Sequence, residues 1–124
     1  MNLTDPCFVF GLALDGNGGC VDLDTRDSHP VWLHIDYSHE TSETWLAELG
    51  LIQPVIDALI RPDTRPRTVN YKSGELMVVR GINLNAGSDP EDMVSLRMWI
   101  EPNRLITVRQ RKLVSVQDVK SELE

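Results

Sequence analysis

Residues 93–101 alternate without a break, with Met93, Ser95, Arg97 and Trp99 on one side and Val94, Leu96, Met98 and Ile100 on the other. A period of two marks an extended strand, because successive side chains of a pleated backbone point to opposite faces. Pro102-Asn103 then reads as a hairpin turn, and residues 104–110 return as a second strand. This chain must therefore build a sheet, and its other segments are read by whether they extend that sheet or cover it.

Residues 8–14 form a short apolar strand, and Asp15-Gly16-Asn17-Gly18-Gly19 is a strong turn signal because Asn and Gly accept positive φ. Residues 20–23 return. With Asn17-Gly18 as the turn, Cys20 faces Asp15 and Cys7 faces Ser28, so the two cysteines are not neighbours and both read as reduced packing residues. A polar loop over 24–30 leads to a third strand over 31–36, with Val31, Leu33 and Ile35 on one face. Helical spacing takes over at Trp45, Leu46 and Leu49, with Ser38 or Thr41 as cap and Gly50 as terminator. A second helix has Pro54 in its first turn and a stripe of Val55, Ile56, Leu59 and Ile60, and residues 61–64 break it.

Strand pattern resumes at 67–71, turns at Ser73-Gly74, and continues over 75–83 into a polar loop at 85–90. Ser115 to Asp118 opens a last helix with the stripe Val116, Val119 and Leu123. No Gly, Asn or Pro closes that helix before Glu124, a pattern expected of a segment cut from a larger protein. The fold expected is α/β in the α+β sense: one domain, 1–124, with a mixed, largely antiparallel sheet and helices packed on it.

Hydrophobic residues are 41% and charged residues 25% of the 124, as in an ordinary globular domain. Residues 1–63 hold 11 acids and 2 bases, a net of −9, whereas residues 64–124 hold 8 acids and 10 bases, a net of +2. An acidic balance speaks against nucleic acid as partner and suits cation handling or oriented packing of copies. No apolar run approaches the roughly 20 residues of a membrane span, and no secretory signal is present, so an intracellular soluble domain is expected.

His34, Asp36, His39 and Glu40 are the densest group of metal-ligand types. His34 and Asp36, two apart on a strand, share a face and have the imidazole and carboxylate that zinc accepts. A polar strand face followed by a helix cap explains the same residues. Asp89, Glu91 and Asp92 read as a solvated loop. Arg104, Arg109, Arg111 and Lys112 form a basic run suited to pairing with acids of the same or a neighbouring subunit. No nucleophile elbow, phosphate loop or dinucleotide fingerprint occurs. Spacing alone leaves two further readings open: an intracellular α/β interaction domain, and a small hydrolase with His34 or His39 as general base.

Three segments together resemble the N-terminal cytoplasmic domain of CorA-type divalent-cation transporters. They are Thr64-Arg65-Pro66-Arg67 with Tyr71 and the strand Leu76-Met77-Val78-Val79-Arg80; Met93-Val94-Ser95-Leu96 paired with Leu105-Ile106-Thr107-Val108-Arg109; and the helix from Val116 to Leu123. Trp32-Leu33-His34-Ile35-Asp36-Tyr37 and Arg109-Gln110-Arg111-Lys112 look most like the zinc-transport (ZntB-like) branch.

The resemblance implies the funnel domain of a homopentamer in the cell inner membrane. The domain itself would be cytoplasmic, with the two membrane spans and the Gly-x-Asn pore signature beyond Glu124. It further implies that the Glu-Asp pair of the magnesium branch falls on Asp57 and Ala58, so that one carboxylate of a regulatory site between subunits is replaced by a methyl group. Asp57, with His34 and Asp36, is then the metal candidate set. No tightly bound cofactor and no enzymatic activity are expected, only weak zinc or magnesium binding, and the isolated domain is expected to associate weakly.

Overall fold

A computed structural model describes residues 3–23, 29–60, 66–81, 94–109 and 114–124. Seven strands and three helices follow in chain order: β1 (Phe8–Leu14), β2 (Cys20–Val21), β3 (Val31–Asp36), α1 (Ser42–Glu48), α2 (Gln53–Ile60), β4 (Arg67–Tyr71), β5 (Gly74–Gly81), β6 (Val94–Glu101), β7 (Arg104–Arg109) and α3 (Val114–Leu123). They form one sheet in the order β2-β1-β3-β7-β6-β5-β4. Among the described residues only β3 and β7 pair in parallel; the other neighbours are antiparallel. The mixed, largely antiparallel sheet read from the sequence is the sheet that forms.

Both faces of the sheet are covered, which decides where every strand side chain goes. On one face Leu33, Ile35, Leu76, Trp99, Ile106 and Val108 pack with Trp45, Leu46, Val55, Ile56 and Leu59 of α1 and α2. On the other, Phe10 and Trp32 meet Val116 of α3, with Leu96, Leu105 and Leu123 against them. Strand β3 is accordingly buried from Trp32 through Ile35, His34 included. The alternation of Val31, Leu33 and Ile35 suggested a polar opposite face; α3 and Phe10 turn that face into a second core.

The first hairpin differs from its expected register by one residue: Cys20 pairs with Leu14 and Val21 with Ala13. The Asp15 carboxylate accepts hydrogen bonds from the amides of Asn17 (2.7 Å) and Gly19 (3.1 Å), while the Asp15 amide donates to the Gly19 carbonyl at 3.2 Å. These bonds close residues 15–19 as a five-residue loop, with Gly16 and Gly18 at positive φ. Cys7 lies buried in the core, Cys20 is half-buried in β2, and both are free thiols.

The second hairpin also turns one residue early, at Lys72-Ser73, because Gly74 already pairs with Tyr71 in the ladder. A Cβ on Gly74 would stand 2.6 Å from the Ile100 carbonyl and 2.8 Å from the Trp99 ring, so this glycine serves close strand packing. Thr41 is the N-cap of α1, yet its hydroxyl donates to Asp5 (2.6 Å) and leaves the helix amides uncapped. Gly50, at φ +85°, ends the segment as expected. Helix α3 begins at Val114, one residue before the expected opening at Ser115. The break at 61–64, the loop at 85–90 with Asp89, Glu91 and Asp92, and the basic Arg111 and Lys112 lie outside the described residues.

Leu59 is fully buried at the centre of the helix layer. Leu59→Ala is expected to destabilise the domain by about 2–5 kcal/mol in urea unfolding. A loss below about 0.5 kcal/mol, the range of surface substitutions, would show that α2 does not present this face to the sheet.

Candidate functional site

Among the metal candidates, β3 does bring His34 and Asp36 to one face, beside Thr107 and Arg109 of β7, to which they are register partners. His34 is fully buried, and its Nδ1 lies 2.6 Å from the Thr107 hydroxyl, which also accepts a hydrogen bond from Trp32 Nε1 at 2.8 Å. The His34 ring stacks at a tilt on Phe10, with centroids 5.1 Å apart, and its Nε2 has no hydrogen-bond partner among the described residues. Burial pulls the imidazole down to about 4, and the Arg109 guanidinium pushes the same way against the opposing Asp36 carboxylate. The ring is therefore neutral at neutral pH, the form that ligates a metal, but it is walled in by Phe10, Trp32 and Thr107.

Asp36 sits at the end of β3. Its Oδ1 accepts from the Ser38 amide (2.9 Å) and the Ser38 hydroxyl (2.6 Å), and Oδ2 lies 3.8 Å from Arg109 Nε. His39 and Glu40 are exposed in the turns that follow. Asp57 lies across the sheet, on α2, where its carboxylate accepts from Gln53 Nε2 at 2.8 Å. The same amide reaches Glu43 Oε1 at 3.2 Å, so Gln53 bridges two carboxylates, one from each helix. The i,i+4 spacing of Gln53 and Asp57 is legible in the sequence; the approach of Glu43 needs the α1–α2 packing. Ala58 packs its methyl against the core. Asp57 and the His34–Asp36 pair thus stand on opposite faces, and no group of three or more His, Cys, Asp or Glu converges among the described residues.

Two further features escape a linear reading. Glu101 accepts from Trp99 Nε1 (2.8 Å) and from Arg104 Nε and Nη2 (2.7 and 3.0 Å), while Arg104 Nη1 donates to the Leu49 carbonyl at the end of α1 (3.1 Å). Of the basic run, then, Arg104 ties the helix layer to the sheet, and Arg109 faces Asp36. Between α3 and the sheet lies an apolar cavity of about 360 Å³ lined by Trp32, Leu96, Met98, Leu105, Val116 and Val119, with Thr107 as its polar point.

The His34 environment makes a pH prediction. The folded state holds the imidazole near 4, below its unfolded value near 6.5, so stability from this group is complete above pH 6.5. It is lost as pH falls toward 4, by roughly 3 kcal/mol in all. Urea unfolding from pH 7.5 to pH 4 should show this loss, and His34→Phe should flatten the slope between pH 6.5 and pH 4. An unchanged slope in the variant would place the titration elsewhere.

A seven-stranded mixed sheet with helices on it is an α+β fold, the fold shared by the solved soluble domains of CorA and ZntB. Residues 27–124 match the family described as CorA-like Mg2+ transporter protein, and the chain belongs to that family. The full-length CmaX protein is 34% identical and superposes with a TM-score of 0.86, over 97% of this chain and 40% of that one. The ZntB cytoplasmic domain from Vibrio parahaemolyticus RIMD 2210633 is 20% identical, with a TM-score of 0.83 over 96% of this chain and 50% of that one. The CorA magnesium transporter from Methanocaldococcus jannaschii is 14% identical, with a TM-score of 0.67 over 91% of this chain and 36% of that one. The chain thus spans half or less of each of these proteins. Among the described residues, no helix is long and apolar enough to cross a membrane.

Proposed function

We propose that this chain is the cytoplasmic funnel wall of a homopentameric membrane transporter of divalent cations, with zinc as the cargo. The observation that carries this reading is the family match across residues 27–124 on a sheet of the same architecture as the solved funnels. In this reading the membrane spans lie in further chain, the full protein resides in the cell inner membrane, and the domain holds subunits in register and senses metal weakly. Zinc is favoured over magnesium by Ala58, which offers no ligand where the resemblance to the magnesium branch expects an aspartate, and by the zinc-branch likeness of residues 32–37. A hydrolase based on His34 is disfavoured by the burial of its ring.

Uptake of radiolabelled zinc and magnesium by cells expressing the full gene tests the reading. Zinc uptake above the empty-vector level supports it, and magnesium uptake alone would replace zinc by magnesium. No uptake of either, from a correctly inserted protein, would sink the transport reading. On the chain itself, calorimetric titration should show zinc and magnesium binding weaker than micromolar, because His34 and Asp36 supply two ligands and Asp57 one. Submicromolar zinc binding abolished by His34→Ala would make the strand pair a true site. Submicromolar magnesium binding abolished by Asp57→Ala would do the same for α2.

A further inference from the structure

On the face covered by α1 and α2, one row of cross-strand partners runs Arg67, Val78, Arg97, Val108 and Ile35 across β4, β5, β6, β7 and β3. Arg97, in the middle of that row, is fully buried between Val78 and Val108, which are themselves buried. Among the described residues, none of its three guanidinium nitrogens has a hydrogen-bond partner. Its guanidinium carbon lies 4.6 Å from the centre of the Tyr37 ring.

A ring face offsets only part of what a guanidinium loses on leaving water, since its in-plane donors still point at nothing. Neighbouring charge worsens the balance. Arg67 shares the row and the face, and Arg80 lies two residues past Val78 on that same face; both make interactions of their own. Glu101, on the same face of β6, is engaged by Trp99 and Arg104; Asp36, on the opposite face, by Ser38 and Arg109; and Asp57 by Gln53. A methionine would fill the volume without the charge, so packing does not account for an arginine here.

We propose that Arg97 is the binding group for an oxyanion, a carboxylate or a phosphate, with the Tyr37 ring as its cover. A guanidinium takes either through two parallel N–H···O bonds, a geometry that a single oxyanion completes. Tyr37 is partly exposed and follows the last residue of β3, so a swing of its ring opens the guanidinium toward the end of the sheet. The oxyanion is either dissolved or carried by an acidic side chain of a second copy, whose 1–63 half bears the net −9. This site is anionic in specificity and stands apart from the cation reading above.

Thermal melts at fixed ionic strength, in buffer free of carboxylate and phosphate, test it with inorganic phosphate, with succinate, and across chain concentration. The wild-type Tm should rise by about 10 °C once the ligand stands ~100-fold above its dissociation constant. A rise with phosphate or succinate assigns a dissolved anion; a rise with chain concentration alone assigns a second copy. Arg97→Met should melt at or above the wild type without anion and should show neither rise, which separates the site from general salt effects. A wild-type Tm that ignores all three titrations overturns the proposal without any variant. So does an Arg97→Met chain that melts well below the wild type or fails to fold, because an acceptor within the chain would then have lost its partner.

Discussion

Trp99→Ala should lower the free energy of unfolding by about 3–5 kcal/mol, the largest effect expected of any single truncation in this domain. Trp99 is buried to 1% exposure, and its cross-strand neighbours Leu76 and Ile106 are buried on the same face. Its ring meets Tyr71 edge-on at 5.7 Å, and the backbone of Gly74 approaches it so closely that no Cβ fits between. Its Nε1 also helps hold Glu101, which in turn orients Arg104 toward the end of α1. Truncation thus opens a cavity and loosens the tie between sheet and helix layer. Urea unfolding measures the loss, with Trp99→Phe expected to recover a large part of it. A cost near 1 kcal/mol would mean that β5, β6 and α2 close over the gap, contrary to the packing described.

Thr107→Val is the second large effect, at about 2–6 kcal/mol, and it arises from a change of nearly constant volume. The Thr107 hydroxyl serves Trp32 Nε1 and His34 Nδ1 together, in a position 2% exposed. Valine leaves both ring nitrogens buried without a partner, and each orphaned group costs about 1–3 kcal/mol. Thr107→Ser, which keeps the oxygen, should retain most of the stability. Equal stability of the valine and serine variants would show that the two rings find other partners.

Local periodicity made much of this fold readable. Period two over 93–101, with the turn and return over 104–110, gave β6 and β7, and the stripe of Val55, Ile56, Leu59 and Ile60 gave the buried face of α2. The first hairpin slipped by one residue because a side chain, the Asp15 carboxylate, sets its loop, and a rule based on Asn-Gly dipeptides does not weigh that contact. His34 was readable as a polar member of β3, but its ring is enclosed by Phe10 of β1 and Thr107 of β7, and Thr107 lies some seventy residues later in the chain. Arg97 was visible as one phase of an alternation. Alternation does not say that both faces of a central strand are covered, and so it could not show a buried cation.

The candidate site was legible to a smaller degree. Sequence spacing brought His34 and Asp36 to one face, and the structure agrees, yet it sets Asp57 on the far side of the sheet beside Glu43. The bridge through Gln53 and the row linking Arg67 to Arg97 are products of tertiary packing, without a linear signature.

Electron microscopy of the full-length protein in detergent tests whether this sheet forms the funnel wall of a CorA-like transporter. A funnel wall requires a ring of five copies, with residues 1–124 outside the detergent belt and the spans supplied by further chain. A particle without a membrane-embedded region, or a single copy whose sheet domain contacts no other, would contradict it.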